Sequence, residues 1–217
     1  LKAVVLTHTH PDHVAGLGAL LAAFPGTPVY LHPNEMERLE GTSPNALPLH
    51  ALQDERVLTV GNLTLRALYT PGHSPGHLSF LLGEGLLLAG DLVAGQGSSW
   101  VGHPEGDVAL YLDSLERLAG HDLALLAPGH GEVSRDPQAK LAEARAHRLA
   151  RLEQVYALLA AGPRTLAELR AAVYPNAAGR MLELSEMSLL ALLKKLMGDL
   201  RVLHLGEDER GPYAQRR

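Results

Sequence analysis

The chain places His8-Thr9-His10-Pro11-Asp12-His13 directly after a short apolar, β-branched run, Ala3-Val4-Val5-Leu6-Thr7. An apolar helical pattern, Val14 to Phe24, follows, so the segment reads as buried strand, polar turn and helix. Three imidazoles and a carboxylate crowded into one turn without a role would cost heavily in desolvation, which makes the turn a site. While the chain is extended, residues i, i+2 and i+4 point to one side, so His8, His10 and Asp12 can converge. Pro11 favours entry into the helix, and His13 at its start turns toward a neighbouring position.

Three more ligand-type residues close predicted strands beside glycine: His73 in Thr70-Pro71-Gly72-His73, Asp91 in Gly90-Asp91, and His130 in Pro128-Gly129-His130-Gly131. Small neighbours let a bulky group approach the backbone. The chain has no cysteine, so any metal must be held by His and carboxylate. Five His and two Asp are too many for one tetrahedral ion and suit two ions about 3.5 to 4 Å apart that share a carboxylate.

The remaining pattern is α/β. Pro28 to His32 is the next strand, closing a β-α-β unit, and Pro33 starts a short helix through Leu39. Residues 41 to 54 read as a loop. Arg56 to Val60, Leu63 to Tyr69, His77 to Leu82 and Leu86 to Ala89 are strands joined by tight turns, hence an antiparallel sheet. Val108 to Leu118 is helical, Leu123 to Leu126 a strand, and Pro137 to Ala161 a long amphipathic helix. After Gly162-Pro163 come a helix (Leu166 to Val173), a helix (Leu184 to Leu200), Arg201 to His204, and a charged turn leading to Tyr213. Helix, helix, strand, turn, strand is the order of a winged-helix module. The division expected is residues 1–147 as a catalytic domain and 148–217 as a winged-helix-like domain. The first part holds 8 Lys/Arg against 16 Asp/Glu and the second 11 against 8. No apolar run approaches the roughly 18 residues a membrane span needs, and no signal segment opens the chain, so a cytoplasmic location without membrane contact is expected. The chain opens on Leu1-Lys2-Ala3 without Met, and upstream residues are expected.

The His-x-His-x-Asp-His turn with the Gly-His, Gly-Asp and Pro-Gly-His-Gly segments resembles the metallo-β-lactamase superfamily over about residues 1 to 150. The resemblance implies an αβ/βα sandwich of two mixed sheets with helices outside. It implies two Zn2+ ions, one held by His8, His10 and His73, the second by Asp12, His13 and His130, with Asp91 bridging. Asp12 and Asp91 are the carboxylates given a catalytic part. The superfamily's first strands lie upstream of the His-rich turn and are absent here. Two zinc ions sharing a water bring its pKa from about 15.7 to about 7, so hydrolysis is the reaction class. β-Lactams are the least favoured substrate, because Asp12 stands where the well-known lactamases commonly place Cys.

The short tail and Gly95-Gln96-Gly97-Ser98-Ser99 after Asp91 resemble the β-lactamase-like protein 2 branch, whose animal members are endoribonucleases and whose fungal relatives are thioesterases. The main expectation is therefore an endoribonuclease on single-stranded RNA, with Lys194, Lys195 and Arg201 nearest the strand, although those residues also suit a solvated helix end. The alternative is a thioesterase or glyoxalase II-like hydrolase of a small acyl thioester, with Gln96 to Gly106 shaping the pocket and Trp100 and His103 as wall residues. Glyoxalase II itself carries a different C-terminal domain. Ser98 and His103 are the candidates for protonating the leaving group. His77 resembles the family's supporting histidine, orienting a ligand or Asp91. A homo-oligomer is compatible with all of these readings.

Overall fold

The protein is described by a computed structural model for residues 1–40 and 47–216. Strands β1 (Val4–Val5), β2 (Val29–Leu31) and β3 (Leu49–Ala51) form a parallel three-stranded sheet in that order. Strands β4 (Val57–Val60), β5 (Leu63–Tyr69), β6 (Leu78–Leu82), β7 (Leu86–Gly90) and β8 (Leu125–Pro128) form a second sheet, antiparallel from β4 to β7 and parallel between β7 and β8.

Period-two alternation sorts the side chains of both sheets into layers. On β2, Val29 and Leu31 meet Leu6, Leu17 and Leu39 beneath α2 (Leu17–Ala23) and α3 (Pro33–Glu40). Tyr30 between them faces the other way, toward Leu52, Ala67, Leu78 and Phe80 in the layer between the sheets. On β7, Leu88 joins that middle layer, while Leu87 and Ala89 face α4 (Val108–Ala119) and α5 (Pro137–Leu158). The result is helix, sheet, sheet, helix, the α/β sandwich expected.

The tail supplies α6 (Leu166–Val173), α7 (Arg180–Gly198) and an antiparallel pair, β9 (Val202–His204) with β10 (Tyr213–Gln215). Its apolar residues join the cluster under the five-stranded sheet, from Leu68 and Leu87 through Leu115 and Val155 to Leu192 and Tyr213. The boundary expected at residue 147 falls inside the continuous α5.

Several expectations change in detail. The helix read from Val14 to Phe24 is two, because α1 (Pro11–Val14) ends before Gly16 and α2 starts after it. Of the loop read over 41–54, residues 41–46 lie outside the described residues, and Leu49–Ala51 is a strand too short to show alternation. Strand β8 begins two residues later than read, and α7 begins four residues earlier, from a Gly179 cap at φ 55°. Among the described residues no helix is long and apolar enough to cross a membrane.

Candidate metal centre

Every ligand-type turn follows the carboxyl end of a strand: His8 to His13 after β1, His73 after β5, Asp91 after β7 and His130 after β8. The amide of Leu78 donates to the carbonyl of Thr7 at 2.8 Å, drawing the exit of β1 onto the start of β6 and so bringing the two sheets' loops together.

The seven residues assemble as two adjoining groups, His8, His10 and His73, and Asp12, His13, Asp91 and His130. In the first, His8 Nε2 lies 3.0 Å from His10 Nδ1 and 3.2 Å from His73 Nε2, with 2.9 Å between His10 Nδ1 and His73 Nε2. Zinc–nitrogen bonds of about 2.0–2.1 Å in a tetrahedron place nitrogens about 3.3 Å apart, so this triangle fits one ion. In the second, His13 Nε2 is 3.2 Å from Asp91 Oδ1, and His130 Nε2 is 3.0 Å from Asp12 Oδ2 and 3.6 Å from Asp91 Oδ2. Asp91 Oδ2 is also 3.7 Å from His73 Nε2, so this carboxylate stands between the groups. His13 Nε2 and Asp91 Oδ1 are buried with no hydrogen-bond partner beyond each other, as donor atoms facing a shared cation would be. The extended-chain expectation fails for Asp12: the helix begins at Pro11, so only His8 and His10 keep the strand period and Asp12 swings to the second group with His13.

Each imidazole of the first group is fixed through its outer nitrogen. His8 Nδ1 donates to Thr7 Oγ1 at 3.0 Å, His73 Nδ1 to the Trp100 carbonyl at 2.7 Å, and His10 Nε2 to Glu105 Oε2 at 3.2 Å. Glu105 is held in turn by Arg38 at 2.7 Å. These partners leave the inner nitrogens as acceptors and set ring orientation. Sequence reasoning missed Glu105 and also Glu35, which is 1% exposed. Glu35 Oε2 accepts from the amide and hydroxyl of Thr9, and Oε1 accepts from Ser74 Oγ at 2.7 Å and the Gly76 amide at 2.9 Å. One carboxylate thus ties the turn between His8 and His10 to the turn after His73. The only sequence signal for Glu35 is an acid in the first turn of a short helix, which is ordinary capping chemistry.

His77 behaves as read. Its Nε2 accepts the Asp91 amide at 3.1 Å, and its Nδ1 donates to Thr70 Oγ1 at 3.0 Å, itself 2.9 Å from Ser79 Oγ. Gly129 is required by proximity: a Cβ there would lie 2.3 Å from Asp91 Oδ1.

Burial pushes His8 and His73 below the ordinary imidazole value, with neighbouring histidines adding to it for both, and takes His77 down to about 3. The Asp91 hydrogen bond raises His13 against the effect of burial. Burial raises the Asp91 carboxyl, but the His13 hydrogen bond and the charges of His13, His73 and His130 outweigh it and hold it below the usual range. His8 and His73 are therefore poised neutral beside a second group that carries the Asp91 carboxylate, a donor set suited to divalent cations.

Trp100 connects the centre to a cavity of about 520 Å³ between the Ser98–Trp100 loop and the tail. Its ring centroid lies 6.3 Å from that of His10, and its Nε1 donates to the Leu184 carbonyl of α7 at 3.1 Å. His103, expected as a second wall, is not among the lining residues; it pairs with Glu209 at 3.0 Å and meets Lys194 at 3.2 Å. The other basic residues expected near RNA are also engaged: Lys195 with Asp199, and Arg201 with Glu153 at 2.7 and 3.1 Å.

Two adjoining His and carboxylate groups at the strand ends of an α/β sandwich make a candidate two-metal centre. The profile of the Metallo-beta-lactamase superfamily matches residues 1–130, and the chain belongs to that superfamily. It is 38% identical over 157 residues to the lactamase-like protein aptB of Emericella nidulans, covering 72% of this chain and 47% of that protein. It is 33% identical over 156 residues to the atrochrysone carboxyl ACP thioesterase of the same organism, covering 71% and 47%. The chain thus spans about half the length of the curated relatives it matches. The crystal structure of a metallo-β-lactamase family protein from Thermus thermophilus superposes with a TM-score of 0.81 at 31% identity, over 100% of this chain and 80% of that one.

Proposed function

We propose that the chain is a metal-dependent hydrolase of acyl thioesters, with zinc as the metal. The observation that carries the substrate class is the thioesterase activity named for relatives at 33% identity across 71% of the chain. The engagement of Lys195 and Arg201 by carboxylates supports this reading over RNA, since a phosphate backbone would have to displace those partners. We also read α6, α7, β9 and β10 as a winged-helix-like unit, so that residues 1–147 form the catalytic part and 148–217 a unit docked on it.

In this reading His8, His10 and His73 would hold one ion, Asp12, His13 and His130 the other, and Asp91 both. When bound, a divalent pair supplies a nucleophile from water at neutral pH and polarises the thioester carbonyl. The protein's part is to keep the imidazoles aimed, with His8 and His73 held neutral by burial. Thr7, Glu105 and Trp100 lock the first group, Glu35 couples its two turns, and His77 holds the Asp91 backbone. The apolar side of the Trp100 cavity receives the organic part of the substrate.

The test is a side-by-side assay of octanoyl N-acetylcysteamine thioester and a single-stranded RNA, with metal content measured on the same sample. Thioester turnover that falls at least 100-fold in Asp91→Ala, with RNA intact, is expected. RNA cleavage abolished by the same substitution, without thioester turnover, overturns the proposal.

A further inference from the structure

The cavity beside Trp100 has a charge pattern that its apolar walls do not explain. Two arginines one turn apart on α5, Arg148 and Arg151, line it. Arg148 is only 4% exposed. Its Nη2 donates to the Ser99 carbonyl at 2.8 Å, its guanidinium lies 5.1 Å from the centroid of the Tyr111 ring, and its Nε has no hydrogen-bond partner. The Tyr111 hydroxyl also meets Arg148 and the buried Ser99, and no carboxylate is among these contacts. Arg151 donates to Gln154 and to the Val173 carbonyl and lies 5.1 Å from the centroid of the Tyr174 ring.

Among the described residues the arginine ion pairs involve Arg38, Arg66, Arg117, Arg170 and Arg201, never Arg148 or Arg151, and no Asp or Glu lines the cavity. A guanidinium buried without a counter-charge is costly, and five N–H donors in a planar fork are built to meet a carboxylate or phosphate. Apolar surface in the lining comes from Trp100, Tyr174, Met181 and Leu184. None of the seven metal-type residues lines the cavity, so the arginines do not face the metal centre directly.

We propose that this cavity is a binding site for an amphipathic anion, an apolar chain or ring system carrying a carboxylate or phosphate that Arg148 and Arg151 neutralise. The volume of about 520 Å³ suits a ligand of small-molecule size. If the thioesterase reading holds, on which this last step alone rests, the cavity takes the anionic end of the substrate and Trp100 is the wall between it and the centre. The anion is then a carboxylate of the acyl part or a phosphate of its carrier.

Trp100 is the chain's single tryptophan, so its fluorescence reports occupancy directly. Octanoate, octyl phosphate and octan-1-ol are titrated into the full chain, as purified and after metal removal with chelator. Saturable emission changes are expected from both anions, at least tenfold tighter than from octan-1-ol, equal in both preparations. Arg148→Met, which keeps the apolar stem, should bring the anions to the level of the alcohol. Arg151→Met, at a half-buried position, provides the same test if the first variant fails to fold. The tighter of the two anions identifies the head group.

The proposal is overturned if octan-1-ol binds as tightly as octanoate, if no probe gives a saturable change, or if the folded arginine variants bind the anions unchanged. Loss of anion binding on metal removal also overturns it, by placing the anion on the metal centre. Because no arm requires turnover, an inactive protein that binds octanoate separates this site from the hydrolase reading.

Discussion

A buried carboxylate is stable only when its lone pairs are filled, and Glu35 fills them with four donors from two turns far apart in sequence. Glu35→Gln keeps the shape but turns one acceptor into a donor that faces donors. About 2 to 3 kcal/mol of stability should be lost, and because the Thr9 turn and the Ser74 turn are then free to part, metal affinity should fall about 10- to 100-fold. Denaturant unfolding and chelator competition measure the two effects; unchanged metal affinity in a folded variant would remove Glu35 from the site's support. The ligands differ from it in how they are written in the chain. His8 to His13, His73, Asp91 and His130 are legible because each sits in a glycine- or proline-marked turn behind an apolar run. Glu35 and Glu105 act on backbone amides and ring nitrogens far away in sequence, an arrangement that exists only after the turns are brought together.

At the scale of elements, α7 is the tail helix that meets both α4 and α5. Its buried face, Leu189, Leu192, Leu193 and Leu196, belongs to the same cluster as Leu87 and Leu126 of the sheet. That face was visible in the sequence as helical spacing, as were strands β4 to β7, where alternation and tight turns coincide. The start of α7 was not, since Arg180 to Glu183 carry no apolar period and only the Gly179 conformation marks the boundary. Strand β3 was hidden for a related reason: three residues give no period to detect, and its place is set by pairing with β2. Removing three carbons from a side chain with 0% exposure leaves a cavity that a rigid core only partly closes. Leu192→Ala should therefore cost about 2 to 5 kcal/mol. Because the cluster is shared, thermal unfolding followed at two wavelengths should show one transition moved down as a whole. Two separated transitions, with only one displaced, would show that α7 is not coupled to the sheet.

Across the whole molecule, assembling the centre buries imidazoles, and burial disfavours their charged form. His8, His73 and His77 are held below the value near 6.5 that they recover on unfolding, chiefly by burial. Below that value the unfolded chain binds more protons than the folded one, so stability falls as pH falls. His13 acts in the opposite sense: its raised value gives stability that is present below about 6.5 and is lost as pH rises through its folded pKa. Asp91 and Glu105, both held low, add stability that is present above the ordinary carboxylate range and lost below it. Burial also lowers His32, His121 and His147, so six depressed histidines oppose one raised histidine. The metal-free protein should therefore lose stability, on the order of a few kcal/mol, between pH 7 and pH 5, with its Tm declining through that window. Added zinc should deepen the dependence, because protons and cation compete for the same nitrogens. Differential scanning calorimetry of chelator-treated protein measures it. A Tm that is flat from pH 7.5 to 5 would mean that the ring cluster relaxes and hydrates when protonated, and that the neutrality of His8 and His73 is not what holds the two sheets' loops in register.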